Sequence, residues 1–239
     1  MKLDILAFAA HPDDTELSCA GTLAAHVKKG YQVGVVDFTR GEMGTRGTPE
    51  IRSQEAAKSA DILGLAVREN LEFEDAFFTN DKAHRLEVVK VLRKYCPDIV
   101  IANAVHDRHP DHARASGIIT EACFLAGLRK VVTQDDDGNE QEICKPRAVY
   151  HYIQSQFIQP DLIVDVSEHW ETKMKAIKAF KSQFYDPDSD EPDTYISSPE
   201  FMKMLESRGQ ELGHSIGVKY GEGFTIERNM GVQDLFHLL

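Results

Sequence analysis

Apolar residues along this chain alternate between short unbroken runs and longer stretches spaced three and four apart. Leu3–Ala9 is a run, broken only by Asp4 and without a helical period, and it reads as a buried strand. Leu17–Lys29 has helical spacing and stops at Gly30. Gln32–Thr39 is a second strand, and Pro49–Leu63 is a second helix ended by Gly64. A short strand over Asn70–Phe73, a helix over Asp81–Tyr95, a strand over Asp98–Ala102 introduced by Pro97 and a helix over Pro110–Leu128 continue the alternation. After an acidic stretch near Asp135 come strands Ala148–Ile153 and Leu162–Val166, then helices over Glu168–Lys181 and Pro199–Leu212. The segment from Val218 to Asn229 carries Gly221, Gly223 and an extended Phe224-Thr225-Ile226. Strands alternating with helices of this length predict a parallel sheet with right-handed crossovers. No repeat or boundary interrupts the pattern. Residues 1–239 therefore read as a single Rossmann-like α/β domain: a mostly parallel sheet flanked by helices, with a more irregular C-terminal third.

Composition narrows the function. With 27 Lys and Arg against 39 Asp and Glu the net charge is −12, which disfavours a nucleic-acid partner, since that binding rests on neutralising phosphates. The acidic stretches Asp135–Asp137 and Asp186–Asp193 read as solvated loops. No stretch approaches the ~18 apolar residues of a membrane helix. Asp4 in the first run, with no small-residue cleavage site after it, speaks against a secretory signal. The four cysteines (Cys19, Cys96, Cys123, Cys144) form no Cys-x-x-Cys pair, which suggests reduced thiols and a cytoplasmic setting.

The first strand ends in Ala10-His11-Pro12-Asp13-Asp14. A dinucleotide site wants Gly-x-Gly-x-x-Gly at that turn, and two carboxylates would repel a phosphate. An imidazole and two carboxylates can instead bind a cation and leave one carboxylate free as a base. The strand Asp98–Ala102 leads into a second cluster, His106-Asp107-Arg108-His109-Pro110-Asp111-His112. Pro110 suits a first helical turn, and Asp111 complements the helix dipole; neither role explains the histidines. If the two strands are neighbours, His11, Asp14 and His112 supply two nitrogens and one oxygen. That set binds Zn2+ with a position left for water, and it suits Fe2+ as well.

These motifs resemble the LmbE-like/PIG-L N-acetylglucosamine deacetylase family, through His-Pro-Asp-Asp, His-Pro-Asp-His, Gly41-Glu42-Met43-Gly44 and Arg52-Ser53-Gln54-Glu55-Ala56. Lys181-Ser182-Gln183-Phe184, Arg208-Gly209 and Tyr220-Gly221-Glu222-Gly223-Phe224 are similar to its bacillithiol-biosynthesis branch. The resemblance implies one zinc on His11, Asp14 and His112, with Asp13 as general base. It implies His109 as the residue assisting at the oxyanion or the leaving amine, with Asp111 as its orienting partner. Arg52, Arg108 and Tyr195 are then candidate substrate contacts, Arg108 toward a malate and Tyr195 in a lid. His151, Glu42 and Asp107 are candidates to line the same crevice. The implied substrate is a small N-acetyl amino sugar, N-acetylglucosaminyl-malate, and the implied assembly a homo-oligomer, commonly a hexamer. The alternatives are a deacetylase of another N-acetyl sugar or thiol-sugar conjugate, and a non-catalytic metal- or sugar-binding protein. Asp13 and His109 disfavour the last, since ligation needs neither.

Overall fold

The computed structural model describes residues 1–187 and 189–237; Asp188, within the acidic stretch Asp186–Asp193, lies outside them. Its centre is one seven-stranded sheet in the order β3-β2-β1-β4-β5-β7-β6. The strands are β1 (Ile5–Ala9), β2 (Val33–Asp37), β3 (Val67–Asn70), β4 (Ile99–Ala102), β5 (Ala148–Tyr152), β6 (Leu162–Asp165) and β7 (Gly221–Ile226). The first five pair in parallel, while β7 is antiparallel to both β5 and β6.

Around the sheet stand α1 (Asp14–Lys28), α2 (Pro49–Leu63), α3 (Lys82–Tyr95), α4 (Pro110–Ala126), α5 (Trp170–Ile177) and α6 (Pro199–Ser215). Both faces are covered, so β1 is apolar throughout yet divides its residues by the two-residue period of a strand. Leu6 and Phe8 pack with Val88, Leu92 and Ile118 of α3 and α4. Ile5 and Ala7 pack with Cys19 and Leu23 of α1 on the other face.

Several elements depart from the expected boundaries; the first helix already begins at Asp14 rather than Leu17, and the last strand at Gly221 rather than Phe224. The third strand is Val67–Asn70, not Asn70–Phe73. Arg68 and Glu69 disguise it because this edge strand carries ion pairs, while Phe73 belongs to the core beyond its end. The helix expected over Glu168–Lys181 is a 3-10 turn, Ser167–His169, followed by the short α5, which ends at Ile177. The helix from Pro199 runs on to Ser215 rather than stopping at Leu212.

The sheet order fixes where a ligand belongs. Strand succession runs outward in opposite directions from β1 and β4, and in open α/β sheets the ligand crevice lies at the carboxyl ends of the strands flanking that reversal. The His-Pro-Asp-Asp turn follows β1, and the His-Pro-Asp-His turn follows the loop after β4. The two motifs meet because their strands pair directly.

Candidate metal and catalytic centre

Asp13 and Asp14 open α1 but face different partners. Asp13 is the N-cap with φ 136° and ψ −17°, a left-handed conformation costly for a non-glycine residue. The unusual backbone turns its carboxylate to Arg52, whose Nη2 donates to Oδ2 at 3.2 Å. Burial raises the Asp13 pKa to about 7, with Arg52 only partly opposing it. Asp14 instead accepts from the His11 backbone N–H at 3.0 Å, from Gln154 Nε2 at 2.6 Å and from Asn103 Nδ2 at 3.3 Å. Its Oδ1 is 3.2 Å from His112 Nε2, and its Oδ2 is 3.6 Å from His11 Nδ1. Burial alone would raise the Asp14 pKa, but the two histidines outweigh it and hold this carboxyl well below the usual range.

Both histidines have a nitrogen turned toward Asp14 and the other held by a carboxylate. His11 Nε2 lies 3.0 Å from Asp75 Oδ1 and 3.3 Å from Asp111 Oδ2. His112 Nδ1 lies 2.5 Å from Asp107 Oδ2, whose carboxylate also accepts the backbone N–H groups of Arg108, Ser155 and Gln156. A carboxylate on the remote nitrogen fixes ring orientation and raises donor strength, the arrangement found around ligating histidines. Burial opposes charging these rings, yet the carboxylates raise both pKa values, that of His112 to about 9. A cluster that draws cationic charge onto two imidazoles beside a dedicated carboxylate fits a divalent cation. Donor atoms of His11, His109 and His112 lie within 4.8 Å of one another, as do those of His11, Asp75 and Asp111.

His109 caps α4: its Nδ1 accepts the Asp111 backbone N–H at 3.3 Å, which leaves the proton of the neutral ring on Nε2. Burial and the positive fields of His11 and His112 lower its pKa below the usual imidazole value. Asp111 meets His109 through its backbone N–H, while its carboxylate turns to His11, to the Ala76 N–H and to Arg114.

The other expected residues divide. Arg108 lines the crevice and Asp107 backs His112. Arg52 lines it too, but its donors go to Pro12 O at 2.6 Å, Gly41 O at 3.3 Å and Asp13. In this structure it braces the Pro12–Asp13 turn. Tyr195 is half-exposed at the rim, with Arg108 Cζ 4.7 Å above its ring; its neighbour Ile196 lines the crevice. Glu42 caps the Asp75 N–H, and His151 is buried against Ser116 and the Asn103 carbonyl. Asp75 and Gln154 were missed. Gln154 follows β5 at the same end of the sheet, a position the strand-end argument reaches; Asp75 lies in a loop with no signal at all. The crevice holds about 180 Å³, below the ~300–1,000 Å³ typical of ligand pockets, so it suits one small group with the rest of a substrate at the rim.

Comparison with known proteins agrees with this architecture. Residues 6–123 match the family model PIG-L, GlcNAc-PI de-N-acetylase. Diacetylchitobiose deacetylase of Thermococcus kodakarensis is 30% identical over 75% of this chain and 70% of its own length. The probable N-acetyl-alpha-D-glucosaminyl L-malate deacetylase 2 of Bacillus subtilis is 29% identical over 77% and 84%. Among solved structures, the conserved protein TT1542 from Thermus thermophilus superposes with a TM-score of 0.85 at 35% identity, covering 97% of this chain and 98% of that one. The chain belongs to the LmbE-like/PIG-L family. It is an amide-hydrolysing enzyme, a deacetylase of N-acetylated sugars. No described helix is long and apolar enough to cross a membrane.

Proposed function

We propose that the enzyme frees the amine of an N-acetylglucosaminide, most simply N-acetylglucosaminyl-malate, with zinc held by His11, Asp14 and His112. One observation carries the reading: two carboxylate-backed histidines converge on Asp14 while the adjacent Asp13 keeps a separate carboxylate in the same crevice. A zinc ion in that donor set acts as a Lewis acid and makes water a nucleophile near neutral pH. Asp13, with its pKa brought toward neutrality by burial, accepts a proton from the attacking water. Oxygen adds to the acetyl carbon, and His109 Nε2–H donates to the oxyanion that develops. The carbon–nitrogen bond then breaks, and the proton held by Asp13 passes to the departing nitrogen, leaving acetate and a free amine.

Arg108 at the crevice mouth and the Bacillus subtilis relative support the malate glycoside. The Thermococcus kodakarensis relative supports a second reading, a neutral N-acetylated chito-oligosaccharide. The test is amine release from N-acetylglucosaminyl-malate and from diacetylchitobiose, before and after chelation and with zinc restored. Turnover that disappears on chelation and returns with zinc is expected. An unchanged rate in metal-free protein would overturn the mechanism.

A further inference from the structure

His151 is a buried imidazole that the chemistry above leaves unused, yet both of its ring nitrogens have partners. It lies near the end of β5, paired with Ala102 of β4 on one side and with Thr225 of β7 on the other. The antiparallel strand β7 thereby brings Glu227, the residue after its last, to His151 Nε2 at 3.1 Å. Thr120 on α4 donates to the same carboxylate oxygen at 2.5 Å. On the opposite side of the ring, Nδ1 lies 3.0 Å from the Asn103 carbonyl oxygen and 2.9 Å from Ser116 Oγ. A carbonyl oxygen only accepts, so the Nδ1 proton is directed at Asn103.

Asn103 is the first residue after β4 and is wholly buried. Its Nδ2 donates to Asp14 Oδ2 at 3.3 Å, and its Oδ1 has no hydrogen-bond partner among the described residues. The aim of this amide at Asp14 therefore depends on the backbone beneath it, and that backbone is what His151 grips. Gln154, three residues further along the same segment, donates to the other oxygen, Asp14 Oδ1, at 2.6 Å. The stretch from His151 to Gln154 thus orients both oxygens of one carboxylate, the first through Asn103 and the second directly. Groups that orient a metal ligand matter to metal affinity by roughly 10–100-fold.

We propose that His151 is a positioning residue for the metal ligand Asp14, acting through Asn103, with Glu227 holding its far nitrogen. The proposal rests on the metal site of the reading above. Its test is a pair of substitutions in the full chain, since the Asn amide nitrogen falls where Nδ1 stands and the Gln amide nitrogen where Nε2 stands. His151→Asn keeps the donor to Asn103, whereas His151→Gln keeps only the one to Glu227. Zinc affinity is read by competition with a chelating indicator, and kcat and KM across a zinc titration. His151→Gln should bind zinc about 10-fold more weakly and recover kcat at saturating zinc with KM unchanged. His151→Asn should stay within about 3-fold of the wild-type affinity, the scale of one imperfect hydrogen bond. Equal losses in the two variants, as a role in core packing predicts, or an unchanged affinity in His151→Gln would overturn the inference and leave the metal site standing. If either core variant fails to fold, Glu227→Ala decides, because that side chain is exposed: it should weaken zinc binding about 3-fold, and an unchanged affinity would overturn the inference. A wild type that binds no zinc, or an Asp14→Asn that binds it equally well, would overturn the metal site and this inference together.

Discussion

Adjacent residues with the same side chain are given opposite work by their surroundings. Asp14 is drawn to the charged state by two histidines and three donors, whereas Asp13 is pushed toward neutrality by burial with one arginine for support. Asp13→Asn should therefore keep the metal and lose roughly 10²–10⁴-fold in kcat, the usual value of a positioned base. Asp107→Asn should do the reverse. Without the carboxylate that fixes His112 Nδ1, metal affinity should fall roughly 10–100-fold, while kcat at saturating zinc recovers much of its value. Metal content after dialysis and rates across a zinc titration separate the two. If Asp13→Asn loses its zinc, or Asp107→Asn keeps it at wild-type affinity, the division of labour is wrong. At this scale the sequence was readable where one motif carries the chemistry, and both His-Pro-Asp clusters stood out. It was silent on Asp75, which comes from a separate loop with nothing in its spacing to mark it. It also gave no sign of the close partners that Arg52 and the Asp111 carboxylate have in the fold, Pro12, Gly41 and Asp13 for the first and His11 and Arg114 for the second.

Elements are joined near the site by a buried ionic cluster. Arg68 on β3 donates through Nε and Nη2 to Asp37 on β2 at 2.9 and 3.0 Å, and through Nη1 to Glu16 on α1 at 2.5 Å. Burial opposes ionisation of Glu16, but Arg68 outweighs it and lowers this carboxyl's pKa; Asp37 remains raised by burial. Since the folded pKa of Glu16 is depressed, its contribution is present above the unfolded value of 4.5 and is lost as pH falls through the folded one. Arg68→Met orphans both carboxylates and should destabilise by about 3–5 kcal/mol at neutral pH. The sign then inverts: carboxyls whose folded pKa is raised give stability at low pH and withdraw it as pH rises. The penalty should thus be smaller at pH ~5 than at pH ~8. Urea unfolding at the two values checks this, and a penalty independent of pH would refute it. The same cluster explains the misplaced third strand. Val67-Arg68-Glu69-Asn70 lacks an apolar run because its polar side chains meet polar partners on β2, just after it, on α1 and on α3. Periodicity detects the boundary between oil and water, not a buried salt bridge.

For the whole molecule, the alternation of runs and helices was enough to foresee a parallel Rossmann-like sheet, and hence where its strand ends would gather. The order of strands was not, because insertion of β7 antiparallel between β5 and β6 depends on long-range packing and leaves no local trace. Topology gives the site its thermodynamic weight. The residues that would face the cation come from the turns and helix starts after β1 and β4, and the carboxylates behind them from the same stretches and the loop after β3, so a cation bound there would tie three segments of the sheet's upper edge together. A ligand that binds only the folded chain stabilises it by RT ln(1 + [L]/Kd), about 2.7 kcal/mol at a hundredfold excess over Kd. For a chain of this size each kcal/mol moves Tm by about 2–4 °C, so zinc should raise Tm by about 5–10 °C over the chelated protein. Asp14→Asn and His112→Gln should abolish the increment even though their metal-free Tm values differ from the wild type. An increment that survives in Asp14→Asn would move the metal away from the β1–β4 crevice, and the assignment of the two adjacent aspartates would go with it.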